Sequence, residues 1–352
     1  MKKTIFTLLS GIFITACTLN EQIDPIYKPD LQDATGTLKA TVLSDLSALN
    51  IRNPLGLVKQ GEQFIIGNPD SRSNAVSLHL ETGKKRELFP RGLRASGALY
   101  PTSLSASGNS GTTILDIYRG KLLYALSGNT PSTKTTEKSP SSLPAGQQHL
   151  AAVQAGDYIV ATGLYEQGRY LLFRPSDDQA GYFLDYPAHP VFPDLSERTK
   201  SVLYASSVLK IRPDNRTFVC ADKYSGLLDI CRIDGEHISR IRQHVFHHPK
   251  VYIHEKTGEN PYVAYSKDNC FGFTDITVSQ DRIYALYSGK TYRRNNTDFQ
   301  QCQTLLILDW EGNILNTYHV DTPLTYLQYE AEENAIYAIG YTPKTSLVKI
   351  DL

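Results

Sequence analysis

The stretch that decides the fold is Cys270–Val320: CFGFTDITVS QDRIYALYSG KTYRRNNTDF QQCQTLLILD WEGNILNTYH V. It contains four short apolar, β-type runs: Phe271–Val278, Arg282–Ser288, Thr304–Trp310 and Ile314–Val320. Gly, Asn and Asp punctuate the gaps, most plainly at Glu311-Gly312-Asn313. Four such runs joined by turn residues predict an antiparallel sheet folded as a meander.

Units of the same kind recur along the chain. A first runs from Leu55 to Phe89, with its last turn at Glu81-Thr82-Gly83. A second is built from Leu104–Ala106, Thr113–Tyr118 and Lys121–Leu126, with an undefined fourth strand followed by a Ser/Thr/Pro-rich loop, Thr130–Gln147. A third spans Leu150–Tyr186 and a fourth Ser207–Arg242, with a long connection, Phe246–Asp268, before the opening stretch. The last unit has three strands, Leu324–Glu330, Ala335–Tyr341 and Ser346–Asp351. It lacks a fourth, which would leave an open sheet edge. The isolated run Thr37–Leu43 is expected to fill that place and close a ring. The expected fold is therefore all-β, a six-bladed β-propeller of four-stranded blades over residues 31–352, closed by an N-terminal strand joining the C-terminal blade. Helical periodicity is poor after residue 30. Runs apolar on both faces, such as Leu305-Leu306-Ile307-Leu308, suit a blade packed between two others. The competing architecture is a pair of β-sandwich domains.

The N-terminus carries a location signal. Lys2 and Lys3 precede Ile5–Ile14, an apolar core about half the length that spans a bilayer. Ile14-Thr15-Ala16-Cys17 resembles a bacterial lipobox, which implies removal of residues 1–16 and lipidation of Cys17. Residues 17–30 then form a lipidated tether with exposed-linker composition. Thr18 is not the Asp associated with inner-membrane retention, so the resemblance favours the outer membrane, on either face. No later run is long enough for a membrane helix, so the expected attachment is an anchor and not a span.

Charge argues against one class of partner. The 36 Lys and Arg balance the 36 Asp and Glu, and no basic bias marks a nucleic-acid surface. The 22 tyrosines suit half-buried sheet faces. Beyond Cys17 there are four cysteines, Cys220, Cys231, Cys270 and Cys302, an even number that fits an oxidising compartment. A Cys220–Cys231 bridge across the turn at Ser225-Gly226 is the favoured pairing, with Cys270–Cys302 the remainder. Four reduced, buried thiols are the alternative. The absence of a CxxC pair argues against zinc.

The repeat pattern, the lipobox and above all Phe271-Gly272-Phe273-Thr274-Asp275-Ile276 with Arg282-Ile283-Tyr284-Ala285-Leu286-Tyr287-Ser288-Gly289-Lys290 resemble the TolB-like six-bladed propeller lipoproteins of Bacteroidetes. The likeness implies a fold and a location but no reaction. Family members often carry a Gly-rich segment with a Pro-Gly-Glu ending after the first blade. Here Gly92–Ala98 keeps two glycines and lacks that ending.

No catalytic constellation emerges. HExxH, GxSxG and phosphate-binding glycine loops are absent. His247 and His248 are adjacent, and neighbours on an extended chain point apart. Asp275, Asp116 and Asp222 lie in β-rich settings, and Asp275 is placed to face the channel. A calcium-dependent hydrolase or lactonase using the channel mouth is the alternative function. It needs about six oxygen ligands, which the inner strands do not supply. The expectation is a monomeric binding protein without cofactor or metal, whose ligand is an envelope protein, peptide or glycan. Arg91, Arg94 and Tyr100, in the connection after unit one, and Tyr252, Tyr262 and Tyr265, before unit five, are the candidate contacts, because Tyr and Arg combine broad contact with directional hydrogen bonds.

Overall fold

A computed structural model describes residues 34–69, 72–94, 97–107, 111–126, 139–255 and 260–352. The leader, Cys17 and the tether lie outside the described residues. Two strands come first, β1 (Gly36–Leu38) and β2 (Thr41–Asp45). Four antiparallel blades follow. Blade 1 is β3 (Leu57–Gln60), β4 (Gln63–Gly67), β5 (Ser73–His79) and β6 (Lys85–Pro90). Blade 2 is β7 (Pro101–Ser107), β8 (Gly111–Asp116), β9 (Lys121–Leu126) and β10 (Ser141–Ser142). Its fourth strand escaped the sequence reading because it is two residues long and lies in the Ser/Pro-rich loop. Blade 3 is β11 (His149–Ala155), β12 (Tyr158–Gly163), β13 (Tyr170–Arg174) and β14 (Gln179–Phe183). A short helix, α1 (Glu197–Leu203), then interrupts the all-β pattern, its first turn capped by Ser196 accepting from Thr199 N at 3.2 Å. Blade 4 is β15 (Ser207–Ile211), β16 (Thr217–Asp222), β17 (Leu227–Asp234) and β18 (His237–Val245).

The long connection after blade 4 contains a hairpin, β19 (Val251–His254) and β20 (Tyr262–Tyr265). Blades 5 and 6 are continuous through one strand. β21 (Phe273–Val278), β22 (Ile283–Tyr287), β23 (Cys302–Leu308) and the first half of β24 (Ile314–Glu330) make blade 5. The second half of β24, then β25 (Ala335–Tyr341), β26 (Thr345–Asp351) and β2, make blade 6. The sequence suggests two strands where β24 is one, because Asp321-Thr322-Pro323 looks like a break. The chain bends there without leaving the sheet, and the register against β25 shifts between Leu324 and Tyr326.

The ring closes as expected, with one correction. β2 pairs antiparallel with β26, Thr41 opposite Lys349 and Asp45 opposite Ser346. The run Thr37–Leu43 is not one strand, however. Its first part belongs to β1, which lies parallel to β24 with Gly36 opposite Tyr318, and so adds a fifth strand to blade 5.

Why the strands are apolar on both faces is visible in the packing. One hydrophobic cluster sits between each adjacent pair of blades. Leu306 and Leu308 pack toward blade 4 with Val219, Ile230 and Phe246, while Leu305 and Ile307 pack toward blade 6 with Leu327, Ile336 and Val348. Phe64 and Ile66 likewise face blade 6, and Ile65 faces blade 2. Alternate residues on a strand point to opposite faces, and in a ring of blades both faces are interior.

The four described cysteines are free, which corrects the expected Cys220–Cys231 bridge. In the β16–β17 ladder Cys220 stands opposite Asp229, and Cys231 opposite Phe218. The two are diagonal neighbours, where Cα separations of about 7–8 Å exceed what a disulfide spans. Both thiols instead fill the blade 3–blade 4 cluster. Cys302 is buried against Thr274 Oγ1, and Cys270 bridges Thr291.

Candidate functional site

In this fold each inner strand starts, and each second strand ends, at the same rim of the ring. The residues at that rim enclose a cavity of about 350 Å³ at the channel mouth. All six blades contribute. Its wall includes Gly56, Thr102, Leu150, Ser207, Asp275 and Tyr326, each at or near the start of an inner strand. A second cavity of about 210 Å³ adjoins it, sharing Leu55, Lys223, Thr274 and Tyr326. Its wall is aromatic: Tyr224, Phe271, Phe273, Phe299, Tyr326 and Tyr341.

Lys223 reaches this junction through a tight local fit. It follows β16 in the turn Asp222–Gly226. Gly272, at the entry to β21, passes so close that a Cβ there would lie 1.8 Å from Ser225 O. Only glycine allows that approach. Gly272 N then donates to Lys223 O at 2.8 Å. The contact sets Phe271 beside the turn, where it meets Tyr224 at 5.2 Å between ring centroids and stacks on Phe299 at 3.7 Å.

The charges at the mouth are unevenly matched. Asp222, next to Lys223, is turned away into a buried network: Arg169 Nη2 donates to its Oδ1 at 2.8 Å and Ser225 Oγ to its Oδ2 at 3.1 Å. Asp275 Oδ2 accepts Leu327 N at 2.8 Å, and burial raises its carboxyl, with Lys210 the largest opposing influence. Lys223 makes no ion pair or side-chain hydrogen bond among the described residues. Loss of solvent pulls its ammonium below the ordinary lysine range, Asp275 pushing the other way and Lys210 adding to the shift. Thr325 Oγ1, in the wall of the second cavity, is buried without a partner. Three other hydroxyls of the wall have partners: Thr102 Oγ1 donates to Leu150 O at 3.0 Å, Ser103 Oγ accepts from Ala152 N at 3.3 Å, and Ser207 Oγ lies 3.0 Å from Thr162 Oγ1.

None of the six tyrosines and arginines named from the sequence lines these cavities. Arg91 donates to Pro69 O and Arg94 O accepts from Arg119, so both belong to the blade 1–blade 2 connection. Tyr100 is exposed and lies near Tyr118. Tyr252 and Tyr262 are exposed on the β19–β20 hairpin. Tyr265 comes nearest, since its ring stacks on Tyr224 at 4.5 Å, but its hydroxyl is held by Leu203 O at 2.7 Å. Sequence reading missed Lys223 and Thr325 because nothing in their local composition marks them. The usable signal was positional, a cation just past the end of a second strand.

The three acids considered for calcium are not brought together. Asp116 takes Arg119 Nε at 2.7 Å and the amides of Leu99, Tyr100 and Tyr118. Asp222 serves Arg169, and Asp275 serves Leu327. Among the described residues no group of three or more His, Cys, Asp or Glu is arranged to hold a metal. His247 and His248 diverge, as adjacent residues on an extended chain must. His248 meets His189 at 5.8 Å and His247 meets Tyr287 at 6.3 Å.

A six-bladed ring with this connectivity agrees with the family comparison, in which the model described as TolB-like 6-blade propeller-like matches residues 37–330. The chain belongs to the TolB-like six-bladed propeller family. Solved structures place this TolB-like chain among propellers at low identity. A putative exported protein from Bacteroides fragilis NCTC 9343 is 10% identical with a TM-score of 0.53, covering 89% of this chain and 94% of its own. Virginiamycin B lyase from Staphylococcus aureus is 11% identical with a TM-score of 0.50, covering 90% and 99%. The structure titled U3-55K is 9% identical with a TM-score of 0.51, covering 89% and 98%. At such identities the likeness is one of fold alone. No curated protein matches the chain.

Proposed function

We propose that this TolB-like propeller is a lipid-anchored protein of the cell envelope that binds a protein, peptide or glycan ligand at the mouth of its central channel. The observation that carries the binding reading is the pair of joined cavities, walled by all six blades and centred on Lys223, a cation without a partner among the described residues. Preformed concave sites with an apolar wall and a few convergent polar groups are where ligands bind. The anchor reading rests on Ile14-Thr15-Ala16-Cys17. The Bacteroides fragilis propeller is described as a putative exported protein, and export is the step the N-terminal stretch calls for here. Attachment at Cys17 places the ring at the end of a short tether, on the outer membrane by the resemblance of Thr18.

The test uses the detergent-solubilised full chain on peptide and glycan arrays, followed by solution titration of each hit. A hit whose affinity drops at least tenfold on Tyr326→Ala supports the mouth as the site. Absence of hits, or hits indifferent to that substitution, contradicts it. Cell fractionation after Cys17→Ser tests the anchor separately.

A further inference from the structure

The mouth holds two kinds of recognition chemistry in one place. The wall of the second cavity holds Lys223, which makes no ion pair or side-chain hydrogen bond among the described residues, and Thr325, whose buried Oγ1 has no partner; both can donate. The same wall carries the rings of Phe271, Phe299, Tyr326 and Tyr341. We infer that the site captures an organic carboxylate bearing an apolar or aromatic group, Lys223 and Thr325 taking the carboxylate and the aromatic wall taking the group. The inference deepens the binding reading above and rests on it.

Three observations select this chemistry. First, charge: the charged groups that face Lys223 are Asp275 from β21 and Lys210 from β15, so the mouth carries one net positive charge when all three are ionised. That suits a monoanion. A dianionic phosphate group would ask for more cations than are present. Second, desolvation: a shielded ammonium held in no ion pair or hydrogen bond is costly, and an incoming carboxylate offsets that cost with charge-assisted hydrogen bonds. Third, shape: the aromatic cavity has about 210 Å³, and an apolar cavity of about 150 Å³ already admits benzene.

The shared chemistry has two sources, a free arylalkyl acid or the C-terminal end of a peptide. Isothermal titration calorimetry on the full chain with 3-phenylpropionate, its amide, and N-acetyl-Gly-Phe as free acid and as amide separates them. The expected result is binding of at least one acid with its amide at least tenfold weaker. Lys223→Met should cost tenfold or more, Lys223→Arg much less, and Phe299→Ala several-fold, all at wild-type melting temperature. If the peptide acid binds tighter than 3-phenylpropionate, the source is a chain end; the reverse order points to a free acid. Equal affinity for acid and amide overturns the inference, as does undiminished acid binding by Lys223→Met, or no binding of either acid. An array ligand that Lys223→Met still binds while both acids fail leaves the binding reading standing and removes only the carboxylate.

Discussion

Thr41 lies opposite Lys349 in an antiparallel ladder, so residues from the two ends of the propeller share one blade. The side chains of β2 contribute little to that closure. Val42 is 51% exposed. The residues just beyond do more: Leu46 and Ile51 are buried between blades 6 and 1 with Phe64, Ile339 and Leu347, and Leu46 N donates to Thr345 O at 3.0 Å. Closure is therefore held by backbone pairing plus an apolar plug. Leu46→Ala should cost about 2–5 kcal/mol in denaturant unfolding, while Val42→Ser should stay within about 0.5 kcal/mol. Comparable losses would show that the strand, and not the plug, fastens the ring.

Much of the ring was legible in the sequence because blade strands obey a simple rule. Both faces are interior, so Leu305–Leu308 reads as an unbroken apolar run, and Gly and Asp mark the returns. Closure was legible because Ser346–Asp351 lacked a partner. What escaped follows from context that composition does not carry. The two-residue strand Ser141–Ser142 has no pattern to read, and Pro323 suggests a break where the chain bends within one strand. The candidate site at the mouth escaped for a related reason. Arg91, Tyr100, Tyr252 and Tyr262 have interface-like chemistry but stand outside the cavities, whereas Lys223 is ordinary until Gly272 brings β21 against its turn.

Arg169 joins blades 3 and 4 through an ionic core. Its Nη2 donates to Asp222 at 2.8 Å, its Nε lies 3.2 Å from Asp229 Oδ2, and Tyr170 Oη donates to the same oxygen at 2.7 Å. All of these side chains are buried. Burial pushes Asp222 up to about 6 even with the guanidinium opposing it. Arg169→Met should destabilise by about 3–5 kcal/mol at neutral pH, since it strands the buried carboxylate of Asp222, while Asp229 keeps Arg240 at 3.2 Å. In the variant Asp222 titrates higher when folded than when unfolded, so the folded state binds more protons and gains as pH falls. The deficit against wild type should therefore narrow between pH 7 and pH 5. A constant deficit would assign the loss to packing.

The thiols give a direct check on the core. Burial holds Cys220 up at about 11 and Cys302 at about 12, which disfavours the reactive thiolate. The chain denatured without reductant should titrate with four thiols besides Cys17, and the native chain should react slowly at Cys220, Cys231 and Cys302. Two thiols after denaturation would reveal a bridge that the diagonal geometry of Cys220 and Cys231 argues against.

Lipidation at Cys17 has its own test. Cys17→Ser should move the protein from the membrane fraction to the soluble fraction without changing its melting temperature, because the described ring begins well past that residue. Membrane retention of the variant would falsify a lipid anchor at this position.

His247 should make stability depend on pH. Both its ring nitrogens are buried without hydrogen-bond partners, and burial depresses it to about 4, with His248 and Lys250 adding smaller charge repulsions. Between that value and 6.5 the unfolded chain binds a proton that the folded chain refuses. The stability His247 permits is thus present above about 6.5 and falls as pH drops toward 4, a loss on the order of 3 kcal/mol. His149 and His248 are depressed by burial too and act with the same sign. His247→Phe keeps an aromatic ring beside Tyr287 and Phe246 and removes the titration. Its unfolding free energy should decline less steeply from pH 6.5 to pH 4.5 than that of wild type. Parallel curves would mean that water reaches the imidazole, and that this histidine is not held neutral by the fold.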